Sequence, residues 1–86
     1  MDIYFKPTFV RHYKRLDPAL QIEVEEKLAL FRDPENHAQL KVHKLKGRLR
    51  GRYSFSVNYK TRIVFVYLSK REVVLLAVGD HDVYKD

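Results

Sequence analysis

Cysteine is absent from this 86-residue chain, which excludes a disulfide framework and any metal site built on thiolates. No apolar run approaches the roughly 18–20 residues that a membrane-spanning helix needs. The first residues also lack the pattern of a signal peptide. We therefore expect a cytoplasmic protein with no membrane partner, folded as one domain over residues 1–86.

Aspartate and glutamate are missing from residues 36–71, although this stretch carries ten lysines and arginines. Six of these cations fall within residues 41–52. The eleven acidic residues lie outside the stretch, seven before Asn36 and four from Glu72 onward. A block of one sign cannot neutralise itself, so it is either a solvated loop or a surface that binds an external anion. The pattern favours a chain of phosphates or an acidic protein partner.

Hydrophobic periodicity predicts the element order β-α-α-β-β-β. Helical spacing of apolar residues indicates a first helix from Pro7 and a second from Pro18 to about residue 31, with Asp17 as its cap. A long connection over residues 33–51 includes a short extended piece near residues 42–45. The predicted strands cover residues 2–5, 53–59, 63–68 and 73–78. The expected fold is α+β, with two N-terminal helices packed on one face of a mainly antiparallel four-stranded sheet.

Alternation over residues 53–59 predicts a strand with two different faces. Tyr53, Phe55, Val57 and Tyr59 would be buried, whereas the serines and asparagine between them would form a polar face. We expect that polar face to be open, with room for a ligand. Residues 80–86 are expected to form a polar tail.

Four residues could together cleave RNA without a metal ion, namely His43, Arg62, His81 and Tyr84. Histidine, with an unperturbed pKa of about 6.5, suits a general acid or base. The arginine fork matches phosphate oxygens, and an aromatic ring can stack on a base for about 1–3 kcal/mol. Each residue alone could equally be an ordinary surface side chain. No zinc spacing is present, and the surrounding cations would repel a divalent ion, so neither metal nor cofactor is expected.

Three segments resemble the RelE/ParE superfamily of small bacterial and archaeal toxins: HKLKGRLRGRYSFSV, TRIVFVYL and LLAVGDHDVY. With the element order, the resemblance covers nearly the whole chain. It implies the toxin of a type II toxin–antitoxin system. Members of the RelE branch cleave messenger RNA, mostly in the ribosomal A site, whereas ParE members poison DNA gyrase. Both kinds are held inactive by an antitoxin.

The resemblance also implies a role for each of the four residues. Arg62 matches the arginine that stabilises the phosphate. His81, two residues after Gly79, matches the general acid, which is histidine in YafQ-like and YoeB-like toxins. Tyr84 matches the terminal aromatic residue, and His43 resembles the catalytic histidine of the YafQ-like His-Pro-Leu-Gln-Gly segment. His43 is therefore the candidate base.

One departure from the family pattern concerns the strand lysines of RelE, whose matching positions here are Ser54 and Ser56. The additional strand histidine of YafQ-like enzymes is also missing. A degenerate homologue that only binds antitoxin or RNA therefore stays open, as does a ParE-like gyrase inhibitor.

The four residues favour metal-independent cleavage of RNA, and the resemblance implies that the protein is an mRNA interferase, an endoribonuclease that cleaves ribosome-bound messenger RNA. We expect its partners to be the messenger, the ribosome and an antitoxin with an acidic, helical segment. The residues expected to bind RNA are Lys41, Lys44, Lys46, Arg48, Arg50, Arg52 and Lys60.

Overall fold

The computed structural model describes residues 1–84, except for the side chain of His81. The helices are α1 (Pro7–Arg15) and α2 (Pro18–Phe31). The strands are β1 (Asp2–Phe5), β2 (His43–Lys44), β3 (Tyr53–Ser56), β4 (Arg62–Ser69) and β5 (Glu72–Gly79). Short 3₁₀ turns cover Pro34–Asn36, Gly47–Leu49 and His81–Tyr84. Within these described residues, no helix is long and apolar enough to cross a membrane.

The sheet of residues 1–84 has five strands in the order β1-β5-β4-β3-β2. β1 runs parallel to β5, and the other neighbours are antiparallel. The α+β class and the mainly antiparallel sheet are confirmed, but the predicted number of four strands is wrong. The additional strand, β2, has two residues and pairs with β3. A strand this short carries no readable period, so its sequence indicated only an extended piece.

The helix boundaries follow from local chemistry that the sequence displays. Pro7 and Pro18 occupy the first turns of α1 and α2, where a missing backbone N–H costs nothing. The Asp17 carboxylate caps α2 by accepting a hydrogen bond of 3.0 Å from the backbone N–H of Leu20. Both predicted helices are therefore confirmed.

The core lies between the helices and one face of the sheet, and Phe31 is at its centre. Its fully buried ring stacks on Phe55 of β3 at 4.4 Å and meets Phe65 of β4 edge-on at 4.9 Å. His37 stacks on the same ring at 4.7 Å, and its Nε2 lies 2.9 Å from the Phe31 carbonyl oxygen. One side chain thus joins the end of α2, the following connection and two strands. The remaining buried core residues are Phe9, Val24, Leu40, Val57, Ile63, Val73, Leu75 and Val78.

The third strand is shorter than predicted and ends at Ser56. The Asn58 side-chain oxygen accepts hydrogen bonds of 2.9 Å from the backbone N–H groups of Lys60 and Thr61. This asparagine turn reverses the chain before the alternation can continue. Tyr59, expected on the buried face, is instead 89% exposed.

The predicted polar tail is in part ordered, because His81–Tyr84 forms a 3₁₀ turn that folds back towards the sheet. The Asp80 carboxylate accepts a hydrogen bond of 2.9 Å from the backbone N–H of Asp82. Gly79 leaves space for this return, since a Cβ atom there would lie 3.0 Å from Val83 Cγ1. Residues 85–86 lie outside the described residues.

Replacing Phe31 with alanine should destabilise the fold by about 3–5 kcal/mol, because a large aromatic side chain would leave a cavity between α2 and the sheet. Ile22 lies on the same helix but is 58% exposed, so Ile22→Ala should change stability by less than about 0.5 kcal/mol. Urea unfolding followed by circular dichroism measures both. Equal effects for the two variants would contradict the central role of Phe31.

The contact between Tyr13 of α1 and Glu25 of α2 predicts a pH-dependent contribution. The Tyr13 hydroxyl donates to the Glu25 carboxylate, and this hydrogen bond, with burial and the negative charge, raises the pKa of Tyr13 above 10.0. The stability that this contact contributes to the fold is therefore fully present below pH 10. It is lost as the pH rises through the higher pKa of Tyr13 in the folded state. Tyr13→Phe should cost about 0.5 kcal/mol at pH 7, given its exposure to solvent.

Unfolding of wild type and Tyr13→Phe should be compared at pH 7 and at pH 11. The stability difference should shrink at the higher pH. Tyr59→Phe is the control, since Tyr59 is almost fully exposed. A difference between wild type and Tyr13→Phe that stays constant between the two pH values would contradict the assignment.

Candidate active site

The sheet face that points away from the helices carries the candidate site. Residues directly opposite each other in an antiparallel pair point to the same face. His43 of β2 is opposite Ser54 of β3, and Ser54 is opposite Val64 of β4. In the next row, Arg62 of β4 is opposite Ser56. Strand spacings place the Cα atoms of His43 and Arg62 about 12 Å apart.

His43 is exposed, and its ring orientation is held by the backbone. Its Nδ1 lies 2.8 Å from the carbonyl oxygen of Lys41. Because a carbonyl can only accept, Nδ1 must carry the proton. In the neutral ring, Nε2 is then the unprotonated nitrogen. Lys41 adopts a left-handed backbone conformation with φ of 61°, which is uncommon for a residue with a side chain. The bend therefore presents its carbonyl to the His43 ring.

Tyr84 reaches the same face through the C-terminal turn. Its hydroxyl lies 2.9 Å from the Ser54 hydroxyl, and Ser54 is fully buried. The prediction of an open polar face is therefore wrong at Ser54, because the turn covers it. Ser56, one row further, is half-buried.

Arg62 is half-buried at the first position of β4, and its guanidinium folds onto the preceding turn. The NH1 group donates to the carbonyl oxygens of Asn58 at 2.7 Å and Thr61 at 3.2 Å. An arginine has five N–H donors in a fixed fork, so these two bonds leave three donors for an anion. The two carbonyl groups limit the rotation of the guanidinium and so pre-orient it.

The basic segment over residues 41–52 forms β2 and an exposed loop next to it. The loop is closed by a hydrogen bond of 2.9 Å from the backbone N–H of Leu45 to the carbonyl of Arg52. Leu49 is buried and anchors the loop to the body of the protein. Six predicted RNA-binding residues are exposed and one, Arg52, is half-buried. The exposed residues are Lys41, Lys44, Lys46, Arg48, Arg50 and Lys60.

Of the four predicted catalytic residues, the structure brings His43, Arg62 and Tyr84 to one sheet face. The backbone of His81 lies in the same turn as Tyr84, but its side chain is outside the described residues. Sequence reasoning missed Ser54 as a partner of Tyr84 and Asn58 as a support of Arg62. The Asn58 side chain could have been recognised as a turn signal, whereas nothing local pointed to a contact between residues 54 and 84. Among the described side chains, no three potential metal ligands cluster.

Comparison with known proteins identifies the fold. No protein-family profile and no curated protein matches the sequence. Several solved structures do match this chain, and each match covers almost the whole length of both chains. One chain of the heterotetrameric YoeB–YefM complex from Staphylococcus aureus is 25% identical to this chain. The match covers 94% of this chain and 97% of that chain, with a TM-score of 0.70. YafQ from E. coli shares 16% identity, covering 99% and 98%, with a TM-score of 0.71.

A third match is the toxin–antitoxin complex RelBE from Mycobacterium tuberculosis, with 21% identity, coverage of 93% and 96%, and a TM-score of 0.71. These toxins belong to the RelE/ParE superfamily. The fold resemblance stated from the sequence is therefore confirmed.

The contact between Ser54 and Tyr84 should appear as energetic coupling. Ser54→Ala and Tyr84→Phe each remove one hydroxyl, and their double-mutant cycle should give a coupling of about 1 kcal/mol in urea unfolding. Ser69 is exposed at the opposite end of β4, so Ser69→Ala should be additive with Tyr84→Phe. Additivity of Ser54→Ala with Tyr84→Phe would show that the turn is not held at Ser54 in solution.

Proposed function

We propose that this protein is the toxin of a type II toxin–antitoxin system and an mRNA interferase that cleaves ribosome-bound messenger RNA without a metal ion. The observation that carries the proposal is the placement of His43, Arg62 and Tyr84 on one sheet face. The fold shared with YoeB, YafQ and RelBE toxins supports it. The exposed cations beside this face would hold the phosphate backbone.

The reaction uses the 2′-hydroxyl of the RNA as nucleophile. His43 Nε2 accepts the hydroxyl proton, and the 2′-oxygen forms a bond to the adjacent phosphorus. The bond from phosphorus to the 5′-oxygen breaks, and an acid protonates that leaving oxygen. The products are a 2′,3′-cyclic phosphate and a 5′-hydroxyl end. Proton transfer by positioned side chains typically contributes about 10²–10⁴-fold each.

The roles of His43 and Arg62 in this mechanism have a physical basis. The hydrogen bond from Nδ1 to the Lys41 carbonyl leaves Nε2 of neutral His43 free to accept a proton. The remaining donors of Arg62 would stabilise the charge that grows on the phosphate oxygens. Tyr84 would orient the substrate. The acid is assigned to His81, an assignment that stands on the family resemblance of its sequence position.

The proposed protein partner is an antitoxin with an acidic, helical segment. In the Staphylococcus aureus structure, YoeB is bound to YefM. Ten cations without an acid in residues 36–71 would attract an acidic segment over long range here. Because salt screens such attraction, association with the antitoxin should slow as ionic strength rises.

A ParE-like gyrase inhibitor is the main alternative, and a YoeB/ParE toxin from Agrobacterium tumefaciens shares the fold at 16% identity with a TM-score of 0.67. A gyrase inhibitor acts by binding a protein. Because binding needs no proton transfer, the tautomer of His43 would not contribute to that activity. A non-catalytic homologue is the second alternative. Ser54 favours it, because this family lysine position is occupied by a buried side chain bonded to Tyr84.

The proposal predicts that His43→Ala and Arg62→Ala each slow cleavage of messenger RNA on purified ribosomes by about 10²–10⁴-fold, since each removes a group that acts in the transition state. Lys70→Ala, in the exposed turn between β4 and β5, should cleave at the wild-type rate. Circular dichroism confirms that the variants are folded. Undiminished cleavage by a folded His43→Ala protein would remove His43 as the base.

Induced expression in cells distinguishes the three hypotheses, namely a nuclease, a gyrase inhibitor and a non-catalytic homologue. A nuclease should create new message ends and lower amino-acid incorporation before thymidine incorporation. Both site variants should relieve these effects. A gyrase inhibitor should lower thymidine incorporation first and leave message ends unchanged. A non-catalytic homologue should change neither label.

A further inference from the structure

A recess beside the turn between β3 and β4 contains Tyr59, a residue that has no role in the proposed mechanism. Its volume is about 490 Å³, and it is lined by Tyr59, Lys60, Arg62, Asp80 and Asp82. This size lies within the range of small-ligand sites. Arg62 belongs to both the recess and the proposed active site, so a molecule bound here would be next to the scissile phosphate.

Tyr59 is the most exposed large hydrophobic residue in the described part of the chain, at 89%. The turn that carries Tyr59 is nevertheless held by hydrogen bonds of the neighbouring residues. The Asn58 side chain accepts from Lys60 and Thr61, and the backbone N–H of Val57 donates to the Thr61 carbonyl at 2.9 Å. The turn fixes the backbone position of Tyr59, and a tyrosine side chain has only two χ angles, so its ring offers an apolar face at low cost in conformational entropy.

Tyr59 is better placed for stacking than Tyr84, the aromatic residue selected by family resemblance. The Tyr84 hydroxyl is engaged with buried Ser54, and its ring is half-buried. Tyr59 has no such partner among the described residues and leaves its ring open to solvent. A base entering the recess would therefore meet the ring of Tyr59.

We propose that this recess is a binding site for one nucleotide of single-stranded RNA. The base stacks on Tyr59, and the attached phosphate binds Lys60 and the free donors of Arg62. This inference rests on the proposed function, in that RNA is the ligand of the adjacent face. It adds a stacking residue that the family resemblance did not assign.

The two aspartates of the recess give the bound nucleotide a direction and a preference. Carboxylates repel a phosphate, so the phosphate lies towards Lys60 and Arg62, with the base edge towards Asp80. A carboxylate accepts a hydrogen bond from the exocyclic amine of cytosine, whereas uracil presents a carbonyl at that position. Asp80 already accepts one hydrogen bond from the Asp82 backbone, and a carboxylate has capacity for more. The recess should therefore bind cytosine in preference to uracil.

The test measures the affinity of the full chain for short single-stranded oligonucleotides whose 2′-hydroxyls are methylated, which prevents cleavage. Tyr59→Ala should weaken the binding of oligocytidine by about 5- to 150-fold, the range expected for loss of one stacked base. Tyr59→Phe, which retains the ring, should bind within about twofold of wild type. Tyr4→Ala is the control, because Tyr4 is 47% exposed on the edge strand β1, where it pairs with Val74 near the beginning of β5, whereas the recess lies past the end of β5.

Asp80→Asn tests the base preference separately. Asparagine can still cap the turn that begins at residue 81, but its amide can also donate to the uracil carbonyl. The variant should therefore lose the preference of wild type for oligocytidine over oligouridine. A preference that is unchanged in Asp80→Asn would overturn the proposed orientation of the base.

The outcomes separate this inference from the proposed function. If wild type binds RNA and Tyr59→Ala, folded by circular dichroism, binds equally well, the recess is not a nucleotide site, although the proposed function stands. If wild type binds no oligonucleotide under any low-salt condition, the recess is not a nucleotide site, and the proposed function is then decided by the separate cleavage assay on purified ribosomes. Equal losses of oligocytidine affinity in Tyr59→Ala and Tyr4→Ala would also contradict the proposed nucleotide site, because the effect would then not be local to the recess.

Discussion

The packing of Phe31 against the sheet is the constraint on which the rest of this structure depends. Its ring stacks on Phe55 and contacts Phe65, so these two residues must face the helices. Successive strand residues point to opposite faces, and the residues next to Phe55 must therefore face away. The two serines of β3 consequently lie on the far face, together with their cross-strand neighbours His43 and Arg62. A hydrophobic contact thus decides which face carries the polar groups.

The polar groups on that face are held by bonds to the backbone and by the C-terminal turn. Lys41 and Asn58 present carbonyl oxygens that orient His43 and Arg62, and Ser54 holds the Tyr84 hydroxyl. Backbone groups cannot relax as surface side chains do. His43 and Arg62 are therefore held in defined orientations by the fold itself. The basic loop around them supplies attraction but little geometric precision, because its cations are mostly exposed.

Local elements were predictable where short-range chemistry is strong. Helix α2 shows its cap at Asp17 and its first turn at Pro18, and both act within four residues. The two long strands are apolar runs that no helix cap interrupts. Prediction was wrong where competing local bonds end a pattern, as Asn58 does at the end of β3, and where an element is too short to show a period, as in β2.

The candidate residues His43, Arg62 and Tyr84 were identified from their chemistry and from family resemblance, but their common face was not predictable. Their sequence separations are large, and whether they meet depends on pairing register. A shift of one residue between β3 and β4 would send Arg62 to the opposite face from Ser56. The resemblance also did not show whether Ser54 and Ser56, at the positions of the RelE strand lysines, are accessible on the sheet face. The fold resolves it for Ser54, which is covered by the C-terminal turn.

By itself, the sequence determined the two helices, the long strands, the absence of disulfide chemistry and the concentration of positive charge, because each depends on neighbouring residues or on composition. Tertiary structure alone decided that residues 54 and 84 form a hydrogen bond, that Arg62 is oriented by the turn before it, and that Tyr59 is exposed beside Arg62. These features require segments far apart in the chain to be fixed against one core. Only the summed burial of apolar side chains from both helices and the sheet supplies enough free energy to hold them there.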